Sequence, residues 1–422
     1  MEEKKYFHAV RVNTDLCKGC TKCVKICPTE ALRVRESKIC LDETRCIDCG
    51  KCINVCPYNA IEPISDPLSI IQPFPYKVAI VSASYAGQFS EDIDYETTLK
   101  GLYEVGFDEV IEESAVSEMM TRIKQHYIAS HQNSRPILSS NCPAVVRLLQ
   151  LRFPSLLPNL FHIEAPMSVL SMYYRDLIQR EKKIPENDIG IFLIVPCIAQ
   201  VTAVHQPEGA YKRMQDGAIA IKDIYNQIGN HLHKIKEMDI KIKTHPRGLV
   251  RALSGLEADY VGTEKIRTLA VSGIENVIDI LHKVENHLLD QYDYIVLRSC
   301  TNGCVGGNFN VENAFIARSK INNLIKYSKN EDYELDSLYS CYLEGIFDVM
   351  PLEPRSMMEL DKDIKQAIYK MKKIQELLKI LPGFDCGACG SPSCKSLAED
   401  IVQGNAKLED CLILCKNKED LE

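Results

Sequence analysis

YIVLRSCTNGCVGG, residues 294–307, is an apolar run that breaks at a polar residue and then presents Cys300 and Cys304. Three more runs share its character: VAIVSAS (78–84), RPILSS (135–140) and IGIFLIV (189–195). Each is short and apolar and ends in, or just before, a polar residue or a cysteine. Stretches of helical periodicity lie between them. Strands that alternate with amphipathic helices predict an α/β core around a parallel sheet. In such sheets, sites form at the carboxyl ends of the strands. Cys142, Cys197 and Cys300 fall at those ends. Packing alone gives little reason for three separate strand ends to deliver one cysteine each.

With Cys304 these make one group of four, and twelve more of the nineteen cysteines form three further groups. CKGCTKCVKICPTEAL recurs as CIDCGKCINVCPYNAI within residues 11–62, each reading C-x2-C-x2-C-x3-C-P. Thiolates at this spacing hold iron–sulfur clusters, with the fourth cysteine of each run serving the other cluster. One set is therefore Cys17, Cys20, Cys23 and Cys56; the other is Cys46, Cys49, Cys52 and Cys27. Zinc needs neither the third close cysteine nor the proline. The segment resembles the bacterial two-cluster ferredoxins, which implies an α+β ferredoxin domain with two 4Fe–4S clusters. Pro63, Pro67, Pro73 and Pro75 then mark a linker or an extended crossing.

The last group is Cys386, Cys389, Cys394 and Cys411, at C-x2-C-x4-C-x16-C. It resembles the small 4Fe–4S domain of corrinoid iron–sulfur proteins and of some membrane electron-transport subunits; zinc is the alternative occupant. A helix over 395–407 is expected to deliver Cys411. Upstream, Leu360, Ile364, Ala367, Met371, Ile374, Leu378 and Leu381 repeat every 3.5 residues. That period fits a coiled-coil seam, and hence a homodimer, or equally a single helix packed on its own domain. Cys40, Cys341 and Cys415 read as structural.

Composition bounds the rest. A chain of 422 residues implies several domains, and 45% hydrophobic with 26% charged residues is ordinary for a folded soluble protein. A net charge of −8, with no basic cluster, argues against nucleic-acid binding. No apolar leader and no apolar run long enough to span a membrane are visible. A disulfide framework suits short secreted chains, and C-x2-C spacing in a long chain does not suit it. The expected setting is the cytoplasm of an anaerobic microbe, because exposed clusters are oxygen-labile.

The words around the central cysteines narrow the reading. They are SSNCPAVVRLLQLRFPSLLPNL (139–160), IVPCIAQVTA (194–203) and LRSCTNGCVGG (297–307), with Ala270-Val271-Ser272-Gly273 and Asn276 before the third. Together, over residues 78–320, they resemble the catalytic domain of the FeFe-hydrogenases. The resemblance implies a two-lobed parallel-sheet domain and an H-cluster, a 4Fe–4S cubane joined to a di-iron unit with CO and CN⁻ ligands. Cys142, Cys197, Cys300 and Cys304 would hold it, with Cys304 as the bridge. The second of the family's paired thiols is present as Cys142, but the first, a proton shuttle, is replaced by Asn141, which has no useful pKa. Gln200 stands where the family has a lysine, Ala203 where it has an acid and Arg298 where it has a methionine. The metal ligands are kept while the surroundings that tune them differ. This pattern resembles the divergent sensory branch of the family.

The expected organisation is a ferredoxin domain (1–66), a hydrogenase-like domain (67–355), a heptad helix (356–381) and a small 4Fe–4S domain (382–422). The expected activity is slow reversible oxidation of H₂ to protons and electrons, used for sensing, with a redox or signalling protein as partner. The alternative is a non-catalytic sensor or relay with a bare 4Fe–4S cluster at the centre.

Overall fold

The computed structural model describes residues 6–132, 134–209, 214–328, 336–355 and 360–419. The chain divides into two compact units, one of residues 1–63 with 354–422 and one of residues 64–353.

In the first unit the sequence repeat becomes a structural one. Its strands are β1 (Val10–Val12), β2 (Leu32–Arg35), β3 (Lys38–Leu41) and β4 (Ile61–Pro63). β1 pairs antiparallel with β4, and β2 with β3. The β2–β3 turn holds Glu36 and Ser37 at positive φ, as a tight hairpin requires. Short helices Lys22–Ile26 and Lys51–Val55 start from left-handed residues, Thr21 and Gly50, and stop at Cys27 and Cys56 in extended conformation. The proline after each of these cysteines disfavours helical backbone at the cysteine, so both stops follow from the motif. Val24, Leu32, Ile39, Ala60 and Ile61 form the small core between the halves.

The same unit contains the helices Ile364–Ile380 and Cys394–Val402, N-capped by the side chains of Asp363 and Ser393. Their core joins Ile374 and Leu381 to Leu397 and Ala398. The heptad pattern thus splits. One row, Ile374 and Leu381, is buried within the unit, while Ile364, Met371 and Leu378 are exposed. The helix begins at Ile364, and residues 356–359 of the expected span lie outside the described residues. The helix expected over 395–407 ends at Val402, and the 3-10 turn Leu408–Asp410 leads into Cys411.

The second unit carries two parallel sheets. Its strands are β5 (Tyr76–Val81), β6 (Glu109–Glu112), β7 (Ile137–Leu138), β8 (Ile189–Val195), β9 (Gly217–Ala220), β10 (Thr268–Ser272) and β11 (Tyr294–Arg298). One sheet has the order β6-β5-β8-β9, the other β10-β11-β7, and every pairing is parallel. All four apolar runs named from sequence contain strands. β7 is short because Pro136 has no amide hydrogen, so pairing starts with the Ile137 amide on the Asp293 carbonyl. β8 is buried along its whole length, as a central strand covered on both faces must be. Phe192 and Ile194 from β8 pack with Ala79, Val81 and Ile219 in the core. This is the two-lobed parallel-sheet α/β core expected from sequence.

Candidate redox centres

Three strands and one loop build the central site. Cys142 lies beyond β7 and is the N-cap residue of helix Pro143–Arg152. Cys197 lies beyond β8 and N-caps helix Ile198–His205. Cys300 lies just beyond β11, and Cys304 opens a 3-10 turn. Both helices therefore turn positive N-terminal ends toward cysteine sulfurs, which favours thiolates. The 300–307 loop fits only because it is rich in glycine. At Gly303, φ is +91°, and a β-carbon there would sit 2.6 Å from the Ala252 carbonyl oxygen; one at Gly307 would overlap the Pro196 carbonyl.

The four sulfurs crowd one another. Burial pushes the Cys197 thiol far up, and Cys300, Cys304 and Cys142 push it further, against a hydrogen bond from the Gln200 amide. Burial lifts the Cys304 thiol to about 11 even though the Arg298 guanidinium pulls it down. Four thiolates gathered at one point repel one another unless a cation joins them. A cationic iron–sulfur core supplies that charge, and the donor set suits it. Ser299 Oγ stands 3.4 Å from Cys142 Sγ, and Arg298 Nη1 donates to Cys304 Sγ at 3.7 Å.

Behind the cysteines lies an ionic cluster that sequence analysis missed. Glu257 is 3% exposed and receives Lys124 Nζ, Arg298 Nη2 at 2.5 Å and Asn141 Nδ2 at 2.8 Å. Arg251 joins it, 3.8 Å from Glu257 and 3.5 Å from Glu113. Glu113 also accepts the Ala83 amide at 3.1 Å. Burial alone would favour the neutral acid, but Lys124, Arg298 and Arg251 hold the Glu257 carboxyl well below the usual range. Burial lowers Lys124 to about 8. Three cations face two carboxylates, so this wall presents excess positive charge to the sulfurs. Its members come from positions 113, 124, 251, 257 and 298, and no spacing rule links them. Only Arg298 stood out in the sequence, as a departure from the family pattern.

Of the two other sequence candidates, Asn141 is buried with its amide committed to Glu257. Gln200 sits in the first turn of helix Ile198–His205, and its buried Oε1 has no hydrogen-bond donor among the described residues.

The first unit brings its cysteines together as the repeat predicts. Cys17, Cys20, Cys23 and Cys56 ring one small cavity, walled by Val34, Ile39 and Ile61. Burial raises the Cys23 thiol to about 11, with Cys20, Cys56 and Cys17 adding to it. Cys52 is pushed up to about 12 by burial and then by Cys27 and Cys23, so the two sets adjoin. Cys46 is pushed up by burial, then by Asp48 and Cys27. Matching amides donate to matching sulfurs, Ala31 to Cys27 at 3.2 Å and Ala60 to Cys56 at 3.3 Å. Cys389, Cys394 and Cys411 share one core, and Cys411 and Cys386 both raise the Cys389 thiol beyond the effect of burial. Cys56 thus lies with the first run's Cys17, Cys20 and Cys23, and Cys27 lies beside Cys46 and Cys52 of the second.

Comparison with known proteins agrees with this geometry. Residues 76–246 match the family described as "Iron only hydrogenase large subunit, C-terminal domain", residues 16–60 a 4Fe-4S dicluster domain and residues 381–413 an Fe-S cluster family. The NADP-reducing hydrogenase subunit HndD of Solidesulfovibrio fructosivorans is 25% identical over 228 residues, 49% of this chain and 34% of that protein. The cytosolic Fe-S cluster assembly factor nar1 of Emericella nidulans is 23% identical over 125 residues, 28% of this chain and 21% of that protein. A component of the ion-translocating oxidoreductase complex of Rhodobacter capsulatus is 53% identical over 38 residues, 9% of this chain and 20% of that protein. The chain therefore spans about a third or less of these relatives. The FeFe-hydrogenase HydA1 of Chlamydomonas reinhardtii shares the fold at a TM-score of 0.53 with 15% identity, covering 70% of this chain and 97% of that one. This is an iron–sulfur protein whose residues 76–246 match the C-terminal domain of iron-only hydrogenase large subunits, with a 4Fe-4S dicluster domain over residues 16–60.

Proposed function

We propose that the protein oxidises H₂ reversibly and slowly, as a sensor, with Cys142, Cys197, Cys300 and Cys304 holding an H-cluster. The observation that carries this reading is the convergence of those four sulfurs from three parallel-strand ends and one glycine-rich loop. The bound group would supply H₂ splitting into two protons and two electrons. The chain's residues would hold and tune it. Arg298 and the helix N-termini favour the anionic form. Asn141 fixes the position beside Cys142 but carries no proton there, and its commitment to Glu257 supports slow turnover. Gln200 turns a buried acceptor oxygen where the family lysine would place a cation. Three further 4Fe–4S clusters, on the two N-terminal sets and the C-terminal set, would carry single electrons to a redox or signalling partner. We place this chemistry in the cytoplasm of an anaerobic microbe, because such clusters are oxygen-labile. Among the described residues no helix is long and apolar enough to cross a membrane.

A second reading has its own support. Asn141, held by Glu257, puts an amide that does not titrate where the family has its proton-shuttling thiol, and a relay with a bare cubane needs no such shuttle. Infrared spectra of anaerobically matured protein separate the two. Metal-bound CO and CN⁻ bands support the hydrogenase; full iron loading without those bands means the relay.

A further inference from the structure

The two cysteine-rich segments of the first unit share an interior. Val34 walls the cavity ringed by Cys17, Cys20, Cys23 and Cys56. Its amide donates to the Gly390 carbonyl at 2.8 Å, and Gly390 directly follows Cys389. Arg35 bridges the same junction. Its Nη1 donates to the carbonyls of Val34 at 3.0 Å and Cys389 at 3.3 Å. Gly390 has φ +81°, and a β-carbon on it would overlap the Val34 carbonyl. A β-carbon on the neighbouring Gly387 would come within 3.1 Å of Lys25, which lies between Cys23 and Cys27. So the loop of Cys386 and Cys389 meets Val34, a wall of the Cys17 cavity, in direct backbone contact at Gly390.

Ion pairs hold this junction shut. Arg33 Nε and Arg35 Nη2 both reach Asp400 Oδ2, at 2.7 and 2.6 Å, and Arg45 Nη2 reaches Glu399 at 2.9 Å. Asp400 and Arg33 are nearly buried, at 14% and 10% side-chain exposure. Well-formed pairs at that burial give geometric specificity that exposed ones do not.

We propose that the C-terminal site exchanges single electrons directly with the Cys17, Cys20, Cys23, Cys56 site through the Cys389–Gly390–Val34 contact. Arg35 is the positioning residue of that contact. Because Cys52 adjoins Cys23, the carriers then run in one order: C-terminal set, Cys17 set, Cys46 set. The proposal rests on reading these sets as 4Fe–4S sites. In the step, a reduced C-terminal cluster gives up one electron and returns to its oxidised form, and the Cys17-set cluster takes that electron. No bond or proton moves. A one-electron donor, dithionite in the test below, supplies the electron.

The test uses the whole chain, loaded with iron and sulfide anaerobically and reduced with dithionite. Iron is counted first. Replacing Cys389 and Cys411 together by serine should remove about four irons per chain; no loss means that the C-terminal set is not an iron site, and the underlying reading fails. Electron paramagnetic resonance then reads the coupling. The wild type minus this double variant should give a signal split and fast-relaxing through a neighbouring reduced cluster. Gly390→Val should keep the iron and lose the splitting; Arg35→Met should narrow it at unchanged iron and serves if Gly390→Val does not load. Full iron with a wild-type spectrum equal to the sum of independent signals overturns the proposal. So does a Gly390→Val protein that keeps the splitting.

Discussion

Replacing Glu257 by Gln removes one charge and almost no volume, from a carboxylate 3% exposed that faces Lys124, Arg298 and Arg251. The three cations lose their shared counter-ion, while Glu113 stays 3.5 Å from Arg251 and Cys304 Sγ stays beside Arg298. Removing one partner of a buried ion pair typically costs about 3–5 kcal/mol, because the charge left behind is uncompensated. At roughly 2 °C per kcal/mol for a unit of this size, the apparent melting temperature should fall by about 6–10 °C. The chain has no tryptophan, so far-ultraviolet circular dichroism under anaerobic conditions, with iron content matched, is the assay. The sharper part is the double-mutant cycle with Lys124→Met. Once Glu257 is neutral, the Lys124 ammonium is itself an unpaired buried charge, so the double variant should be more stable than Glu257→Gln alone. Simple additivity, or a Glu257→Gln loss below about 1 kcal/mol, would refute the argument that the carboxylate holds the cluster together. The depressed folded pKa of Glu257 gives the pH dependence. Its contribution is fully present above the unfolded carboxylate pKa and is lost only as pH falls through the much lower folded value. The difference between wild type and variant should therefore be flat from pH 5 to 8 as far as this group is concerned.

Arg298→Met should make the central cluster harder to reduce. A charge about 5 Å away is worth roughly 3 kcal/mol at an effective dielectric of 20, on the order of 100 mV for one electron; a potentiometric titration showing no negative shift would remove Arg298 as a tuning group. Burial raises the Glu164 carboxyl, so that group favours folding below its unfolded pKa and progressively less as pH rises through its folded pKa. Glu164→Gln should accordingly flatten the fall in stability across that window, read as denaturation midpoints from pH 4 to 7. In the Ile364–Ile380 helix, Ile374→Lys buries a charge in the first unit's own core and should destabilise that unit by several kcal/mol. Met371→Lys, on the exposed row, should leave stability nearly unchanged; if light scattering finds a dimer that Met371→Lys dissolves, that row is its seam.

The cysteine sets were legible because ligand spacing is a local property. C-x2-C-x2-C-x3-C-P specifies a turn, a short helix and a stop wherever it occurs, and both copies folded that way. The strands leading to Cys142, Cys197 and Cys300 were legible because buried parallel strands are continuous apolar runs. The heptad row was only half legible. A 3.5-residue period reports that a helix has an apolar face, and it says nothing of what covers that face; here Ile374 and Leu381 meet their own unit while Met371 and Leu378 do not.

The sequence by itself determined the grouping of the candidate cysteines, the expected crossed pairing of the ferredoxin runs and the class of the central fold. Each of these follows from short-range pattern. Only the tertiary structure decided that Glu257, Lys124, Arg251 and Arg298 meet behind the central cysteines, and that Gly390 lies against Val34. Those partners are far apart in the chain, and the charges attract no attention singly. They are tolerated inside the protein only because folding brings each one a partner, and a one-dimensional pattern holds no record of that pairing.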